Sequence, residues 1–352
     1  MNLSFPVSQP DISSLEKKYA TDAINSTWIS SNGPYIKKFQ DAWASYNKMK
    51  FGVVCNSGTN ALYLAFKALG LKEGDEVIVP DFTMVATAWA VSYTGAKPVF
   101  VDCMDNLNID TSLIEEKITP RTKAICVVHI YGRRVYMVPI MSLAKKYNLK
   151  VVEDSAEGHG IMPVGDVACF SFFGNKIITT GEGGMCVTND EELAKKIHSL
   201  ANMCFDPNHT FLHPEMGHNH RMTNVQAAIG LAQVERIDEL LAKRRKIAEW
   251  YDARLPEYIR MPRRDVVWMY DINLGEHRDQ IKADLTVLGV DTRYFFKPMG
   301  MQPMYSGPAC PNALKWSKVG IYLPTYPSLT EEEVDLICHC VKNSLKNLER
   351  EW

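Results

Sequence analysis

The sequence lacks the signatures of most common enzyme classes. No GxGxxG follows the first strand-like run, no GxxxxGK[ST] loop occurs, and neither a GxSxG elbow nor an HExxH helix is present. These absences weigh against nicotinamide dehydrogenases, P-loop enzymes, elbow-type serine hydrolases and zincins. An excess of charge of one sign is also lacking. The formal net charge is −2 over 352 residues, which marks no nucleic-acid or anionic-membrane surface. No apolar run approaches the ~18 residues of a spanning helix, and the opening MNLSFPVSQPD has no basic-then-apolar leader. The nine cysteines form no CxxC pair, and Cys126, Cys169 and Cys186 lie inside strand-like runs. Buried reduced thiols are expected rather than zinc or disulfides. The chain reads as cytoplasmic, with no membrane, nucleic-acid or metal partner, and it shows no internal repeat or low-complexity segment.

What is present is an α/β pattern. Apolar residues make up 46% and charged residues 23%, ordinary for a globular protein long enough for one large and one smaller domain. Short apolar runs at Gly52–Cys55, Glu76–Val79, Pro98–Val101, Ala124–Val128 and Val151–Glu153 alternate with helix-like segments. Such alternation predicts a mostly parallel central sheet with helices on both faces. The spacing of Ile36, Phe39, Trp43 and Tyr46 predicts a helix after the turn at Gly33–Pro34. From Thr223 a helical pattern runs to Leu255, as one long helix or two with a short break. The division is placed near residue 240, giving a large α/β domain over 1–240 and a small C-terminal α+β domain over 241–352.

Three motifs fall at the carboxyl ends of the expected strands, where ligands gather in parallel sheets. The first is ACFSFFGNKIITTGEGGMCVT (Ala168–Thr188): a buried strand, a polar turn carrying Lys176, a glycine-rich bend and a second strand. Lys176 reads as a solvated surface charge or as a reactive amine held where a rigid element ends. The second is CNSGTNALYLAF, in which a strand enters a helix through Ser57, Gly58 and Thr59. Free N–H groups and hydroxyls there suit a phosphate or simply cap the helix. The third, VVEDSAEGHG, ends a strand in Glu153 and Asp154. A carboxylate there can hold a pyridine nitrogen protonated, or cap the next turn. A phosphate cup, a strand-end acid and a strand-end lysine together are what pyridoxal 5′-phosphate (PLP) requires.

The chain resembles the DegT/DnrJ/EryC1/StrS family of nucleotide-sugar aminotransferases, PLP enzymes of fold type I. The likeness is carried by TWISSNGP, CNSGTNALYLA, DEVIVPDFT, VVEDSAE, FSFFGNKIITTGEGGM, NHRMTNVQAAIGLAQ and FFKPM. It is closest to perosamine-synthase-type enzymes, which aminate C4 of a nucleotide-linked 4-keto-6-deoxyhexose, with a perosamine- or viosamine-type product. The resemblance implies Lys176 as cofactor-binding lysine and acid/base, with Asp154 on the ring nitrogen. It implies Ser57, Gly58, Thr59 and Ser171 on the phosphate, and Glu157 near the ring's 3′-oxygen. Asn219 would reach the phosphate from the neighbouring subunit of a homodimer with shared sites. The loop Trp28–Ser31, with Trp28, Ser30 and Ser31, would contact the sugar, and Phe296 of FFKPM would shape the pocket. Arg221 is the candidate for the carboxylate of the donor, L-glutamate, which leaves as 2-oxoglutarate. The chain departs from the family at Met84, where an aromatic usually covers the ring, and at GHNHR, where His218 and His220 replace aromatics. The alternatives are a C3-aminating or dehydrating enzyme of the same fold, or a non-catalytic sugar-nucleotide-binding or sensor relative.

Overall fold

Seven short apolar runs pair into one sheet in the computed structural model, which describes residues 5–305 and 307–349. They are β1 (Phe51–Cys55), β2 (Glu76–Pro80), β3 (Lys97–Val101), β4 (Thr122–Val128), β5 (Lys150–Asp154), β6 (Val167–Ser171) and β7 (Gly184–Thr188). Their order across the sheet is β1-β7-β6-β5-β4-β2-β3. Neighbours from β3 to β6 pair parallel, and β7 lies antiparallel between β6 and β1. The mostly parallel α/β sheet is therefore present, with one reversed strand. The segment between Ser171 and Gly184 holds no helix and turns straight back, so β7 returns along its neighbour. Phe173, the last residue of the ACFSFF run read as a buried strand, lies past the end of β6 and is exposed, because the turn toward Lys176 starts there.

Both faces of the sheet are covered, which is why its strands are near-continuous apolar runs. Successive residues point to opposite faces. Phe170, Met185 and Val187 pack with Phe39 and Trp43 of the helix Pro34–Tyr46. Cys169 and Cys186 face the other way, toward the helices Gly58–Ala68 and Glu191–Ala201. All nine cysteines are free thiols.

The long helical pattern resolves into two helices, Asn224–Glu235 and Ile237–Arg254. The break is at Arg236, whose guanidinium donates to Asp11 (2.6 Å), Glu16 (2.8 Å) and Glu239 (3.2 Å). Beyond it a second, antiparallel sheet forms from β8 (Tyr270–Asn273), β9 (Arg293–Tyr294) and β10 (Gly320–Leu323), in the order β8-β10-β9. Ile272 and Ile321 of that sheet pack with Tyr251, Ile281, Leu285, Val334 and Ile337 of three helices in a core of their own. The first described residues run along this smaller unit, with Phe5 N bonded to Gly289 O and Thr325 N to Val7 O. Among the described residues no helix is long and apolar enough to cross a membrane.

Candidate active site

At the end of β5 two adjacent carboxylates face opposite sides, and their surroundings separate them. Glu153 accepts from His129 Nε2 (2.9 Å), Val164 N (2.6 Å) and Gly165 N (2.5 Å). Burial pushes this carboxyl up, but the His129 bond and the two N–H groups outweigh it and hold it below its ordinary range. Glu153 is thus saturated by structure. Asp154 is 4% exposed and accepts from Thr87 Oγ1 (2.7 Å) and Ala156 N (3.1 Å). Burial raises it above the usual carboxylate range, and the Thr87 bond works against that rise. Since Thr87 donates to Asp154, the 3.1 Å contact with Thr83 Oγ1 is filled by the Thr83 hydroxyl donating to Thr87.

Past β6 the chain makes a turn tied at several points. Lys176 N donates to Phe173 O (2.9 Å) and Thr180 N to Phe172 O (2.9 Å). The imidazole of His159 bridges the two arms: Nε2 donates to Ser171 O (3.0 Å) and Nδ1 accepts from Ile178 N (3.4 Å). Burial, aided by the nearby Lys176 charge, pushes His159 down to about 3, so it is the neutral tautomer that these bonds require. The Lys176 side chain is 11% exposed, with Nζ 3.9 Å from Glu157 Oε1. Nζ also lies over the indole of Trp268, 4.3 Å from the ring centroid. Burial lowers the amine from the ordinary lysine range, opposed by the Glu157 and Asp154 charges. Burial raises Glu157 to about 7, against the pull of Lys176 and the 2.8 Å bond from Tyr131 N.

The third component is an anion cradle. Ser57 caps the helix Gly58–Ala68, its Oγ accepting from Asn60 N at 3.2 Å. The capping reading thus holds, yet the Gly58 and Thr59 N–H groups still lack partners within the helix. A Cβ on Gly58 would lie 2.6 Å from Ser171 Cβ, and one on Gly184 would lie 2.2 Å from Ser57 O. Only glycine allows these approaches, which set Ser57, Gly58 and Ser171 against one another. Lysine amine, buried acid and N–H cradle all lie at the carboxyl edge of the sheet. The donor set fits PLP: an anion site for its phosphate, a carboxylate for its ring nitrogen and an amine for its aldehyde.

Met84 precedes the helix Val85–Ser92 by one residue, one turn before Thr87 on the same helix face, and is 49% exposed. Phe296 packs on Tyr131 (centroids 5.1 Å) and Phe82 (6.0 Å), and its N–H donates to Tyr131 Oη at 3.2 Å. The other expected residues make their bonds elsewhere, although Asn56 N, beside Ser57, donates to His220 O (3.0 Å) next to Asn219. Ser31 and Arg221 line a cavity of about 400 Å³ with Asn202, His198 and His209, and neither Lys176 nor Asp154 borders it. Arg221 donates to Asn202 Oδ1 (3.0 Å). The carbonyls of Trp28 and Ser30 accept from Asn224 Nδ2 (2.7 Å) and Asn224 N (2.6 Å), which fixes that loop. Asn219 is exposed between His218 and His220, whose rings stack 4.9 Å apart. Among the described residues none of Trp28, Ser30, Ser31, Asn219 and Arg221 hydrogen-bonds to the Lys176 group.

Four residues of the site escaped the sequence reading: Thr87, His159, Tyr131 and Trp268. Spacing offered a trace of two of them, Thr87 being one turn beyond Met84 and His159 two residues beyond Glu157. Tyr131 is buried and adopts a left-handed φ of 51°, a strained state that its Glu157 and Phe296 bonds hold in place. Trp268 has no local signal, because it arrives from the far side of the chain.

Comparison with known proteins gives the chain's relatives. Residues 10–342 match the DegT/DnrJ/EryC1/StrS aminotransferase family. A GDP-perosamine synthase of Caulobacter vibrioides is 44% identical over 94% of this chain and 95% of its own. One from Escherichia coli O157:H7 is 41% identical over 96% of this chain and 97% of its own. Among solved structures, the aminotransferase TlmJ of Streptoalloteichus hindustanus superposes with a TM-score of 0.93 at 29% identity, covering 98% of this chain and 100% of that one.

Proposed function

The chain belongs to the DegT/DnrJ/EryC1/StrS aminotransferase family and is PLP-dependent, and from that premise we propose that it aminates C4 of a GDP-linked 4-keto-6-deoxyhexose. The product is a 4-amino-4,6-dideoxy sugar nucleotide of perosamine type. L-Glutamate gives up its amino group and leaves as 2-oxoglutarate, and the sugar ketone becomes an amine. The chemistry is carried by one observation: the Lys176 amine is held 3.9 Å from Glu157 at the edge where Asp154 ends its strand. The choice of sugar is supported by the 44% identity to a GDP-perosamine synthase along nearly the whole chain.

When bound, PLP supplies an electron sink and carries the amino group between donor and acceptor. Lys176 would hold it through its amine and serve as the acid/base, taking the α-proton of glutamate and delivering a proton to C4 of the sugar. Asp154, tuned by Thr87, would keep the ring nitrogen protonated. The Gly58 and Thr59 N–H groups with the Ser57 and Ser171 hydroxyls would hold the phosphate, and Glu157 would serve the 3′-oxygen. Met84 would offer a thioether to the ring where an aromatic would be stiffer. Asn219 completes the phosphate site of a second copy, and the loop Trp28–Ser31 and Phe296 border the sugar. Arg221, which lines a cavity with Ser31, takes the donor carboxylate at the shared dimer interface.

The test is a panel of GDP-, UDP- and dTDP-linked 4-keto-6-deoxyhexoses with L-glutamate, the products resolved by mass and NMR. A 4-amino sugar from the GDP substrate is expected, and amination at C3 or from another carrier alone would overturn the reading. Borohydride should fix the cofactor to Lys176, and Lys176→Ala should abolish transfer.

A further inference from the structure

The Lys176 amine has no hydrogen-bond acceptor among the described residues, and its nearest carboxylate is at the outer limit of an ion pair, 3.9 Å away. What lies against it is the face of Trp268, 4.3 Å from Nζ to the ring centroid, inside the roughly 6 Å over which a ring quadrupole attracts a cation. The indole is 2% exposed and therefore desolvated. It is fixed on several sides. Nε1 donates to Asn175 O (2.8 Å), the residue before the lysine. Its ring stacks on Tyr131 (5.8 Å, 28°) and packs against Tyr322 (5.8 Å). Tyr131 in turn holds Glu157 through its N–H.

We propose that the Trp268 face is the resting seat of the Lys176 amine whenever that amine is free of the cofactor. Trp268 is thus a positioning residue that governs both the direction and the ionisation of the lysine. The inference rests on Lys176 being the cofactor-binding lysine. The groups whose charge bears on the amine are Asp154 at the end of β5, Glu157 just beyond it and neutral His159 from the same turn, while Tyr131, from the turn after β4, and Tyr322 of β10 pack on the indole. The two carboxylates favour the cation and burial opposes it, so the ring face adds a share of cation stabilisation that an aliphatic side chain would not supply.

The test follows the rate at which PLP attaches to the cofactor-free full-length chain, by absorbance, as a function of pH. Only the neutral amine reacts, so the midpoint of the profile reports Lys176 ionisation. Trp268→Leu should move that midpoint down by about one unit, a tenfold change in ionisation constant. A fluorinated indole at position 268 keeps the shape and drains the ring face, so it should move the midpoint in the same direction even where Trp268→Leu does not fold. An unchanged or raised midpoint with the fluorinated indole overturns the proposal. Borohydride trapping and peptide mass mapping separate the two readings. Cofactor on Lys176 with an unmoved profile refutes the role of Trp268 alone, whereas cofactor on another lysine removes both.

Discussion

Glu157 and His159 are two residues apart and both buried, and burial drives them in opposite directions. Glu157 rises from 4.5 to about 7, and His159 falls from 6.5 to about 3. For Glu157, with a raised folded-state value, the stabilisation is complete below pH 4.5 and is lost as pH rises through about 7. For His159, with a depressed value, the stabilisation is complete above pH 6.5 and is lost as pH falls toward about 3. Near pH 5.5 the unfolded chain carries almost a full proton on the histidine and almost none on the glutamate, and the folded chain the reverse. Each group then contributes a slope of about 1 kcal/mol per pH unit, with opposite signs, so the pair nearly cancels in the natural chain. Single substitutions uncouple them. The His159→Gln variant should lose about 1 kcal/mol of stability per pH unit on going from about pH 5 to 6, and Glu157→Gln should gain as much. The assay is urea unfolding of the cofactor-free chain by tryptophan fluorescence, at fixed protein concentration across that window. Parallel slopes in the two variants would refute the reasoning, since they would mean that the two groups do not ionise differently on folding.

Three further outcomes test the site. Thr87→Val removes a buried hydroxyl bond to a carboxylate worth about 1.5–3 kcal/mol. Asp154 should rise further and kcat fall at least tenfold, with Thr87→Ser near the natural rate; equal rates for valine and serine would deny Thr87 its role. Gly58→Ala places a Cβ 2.6 Å from Ser171 Cβ, and overpacking of this kind costs about 1–3 kcal/mol. PLP affinity measured by absorbance titration should drop about tenfold or more, and an unchanged affinity would remove the cradle. Asn219→Ala should weaken PLP binding, and mixing its subunits with Lys176→Ala subunits should restore one complete site per dimer. Failure of such mixing to recover activity would place Asn219 outside the shared site.

The sheet was legible because strands buried on both faces read as apolar runs, and the lysine because two of those runs bracket it. The end of β5 was legible only as a pair of acids. Period two puts Glu153 and Asp154 on opposite faces, but their roles depend on donors from elsewhere: His129 and Gly165 for one, Thr87 for the other. Ser57 shows why cap and cradle could not be told apart in sequence, since one residue serves as the first and borders the second. Trp268 was invisible for a plainer reason. Its contact with Lys176 is made by tertiary folding alone, through a bond to Asn175 O that no local spacing anticipates. The break at Arg236 is of the same kind, drawn by Asp11 and Glu16 from the chain's start.

An acid at the end of a strand is therefore not in itself a catalytic sign, and this sheet carries its own controls. Asp81 follows β2 and accepts from Gly300 N (2.8 Å) and Cys310 N (2.7 Å). Asp102 follows β3 and accepts from Asn312 N (2.9 Å) and Ala313 N (2.9 Å) at the start of the helix Pro311–Val319. Both carboxylates spend their charge on main-chain donors, as Glu153 largely does. In doing so they fasten the segment that follows Phe295 and Phe296 to the carboxyl edge of the large sheet, which sets the wall of aromatic rings beside Tyr131 and Trp268. Asp154 differs in the kind of donors it meets. Its partners are one hydroxyl, one N–H and a lysine charge, and burial leaves its carboxyl above the usual range. A carboxylate left short of main-chain donors in a dry site keeps its charge available for a cationic ring nitrogen, and that property, more than its place in the sheet, separates Asp154 from the acids around it.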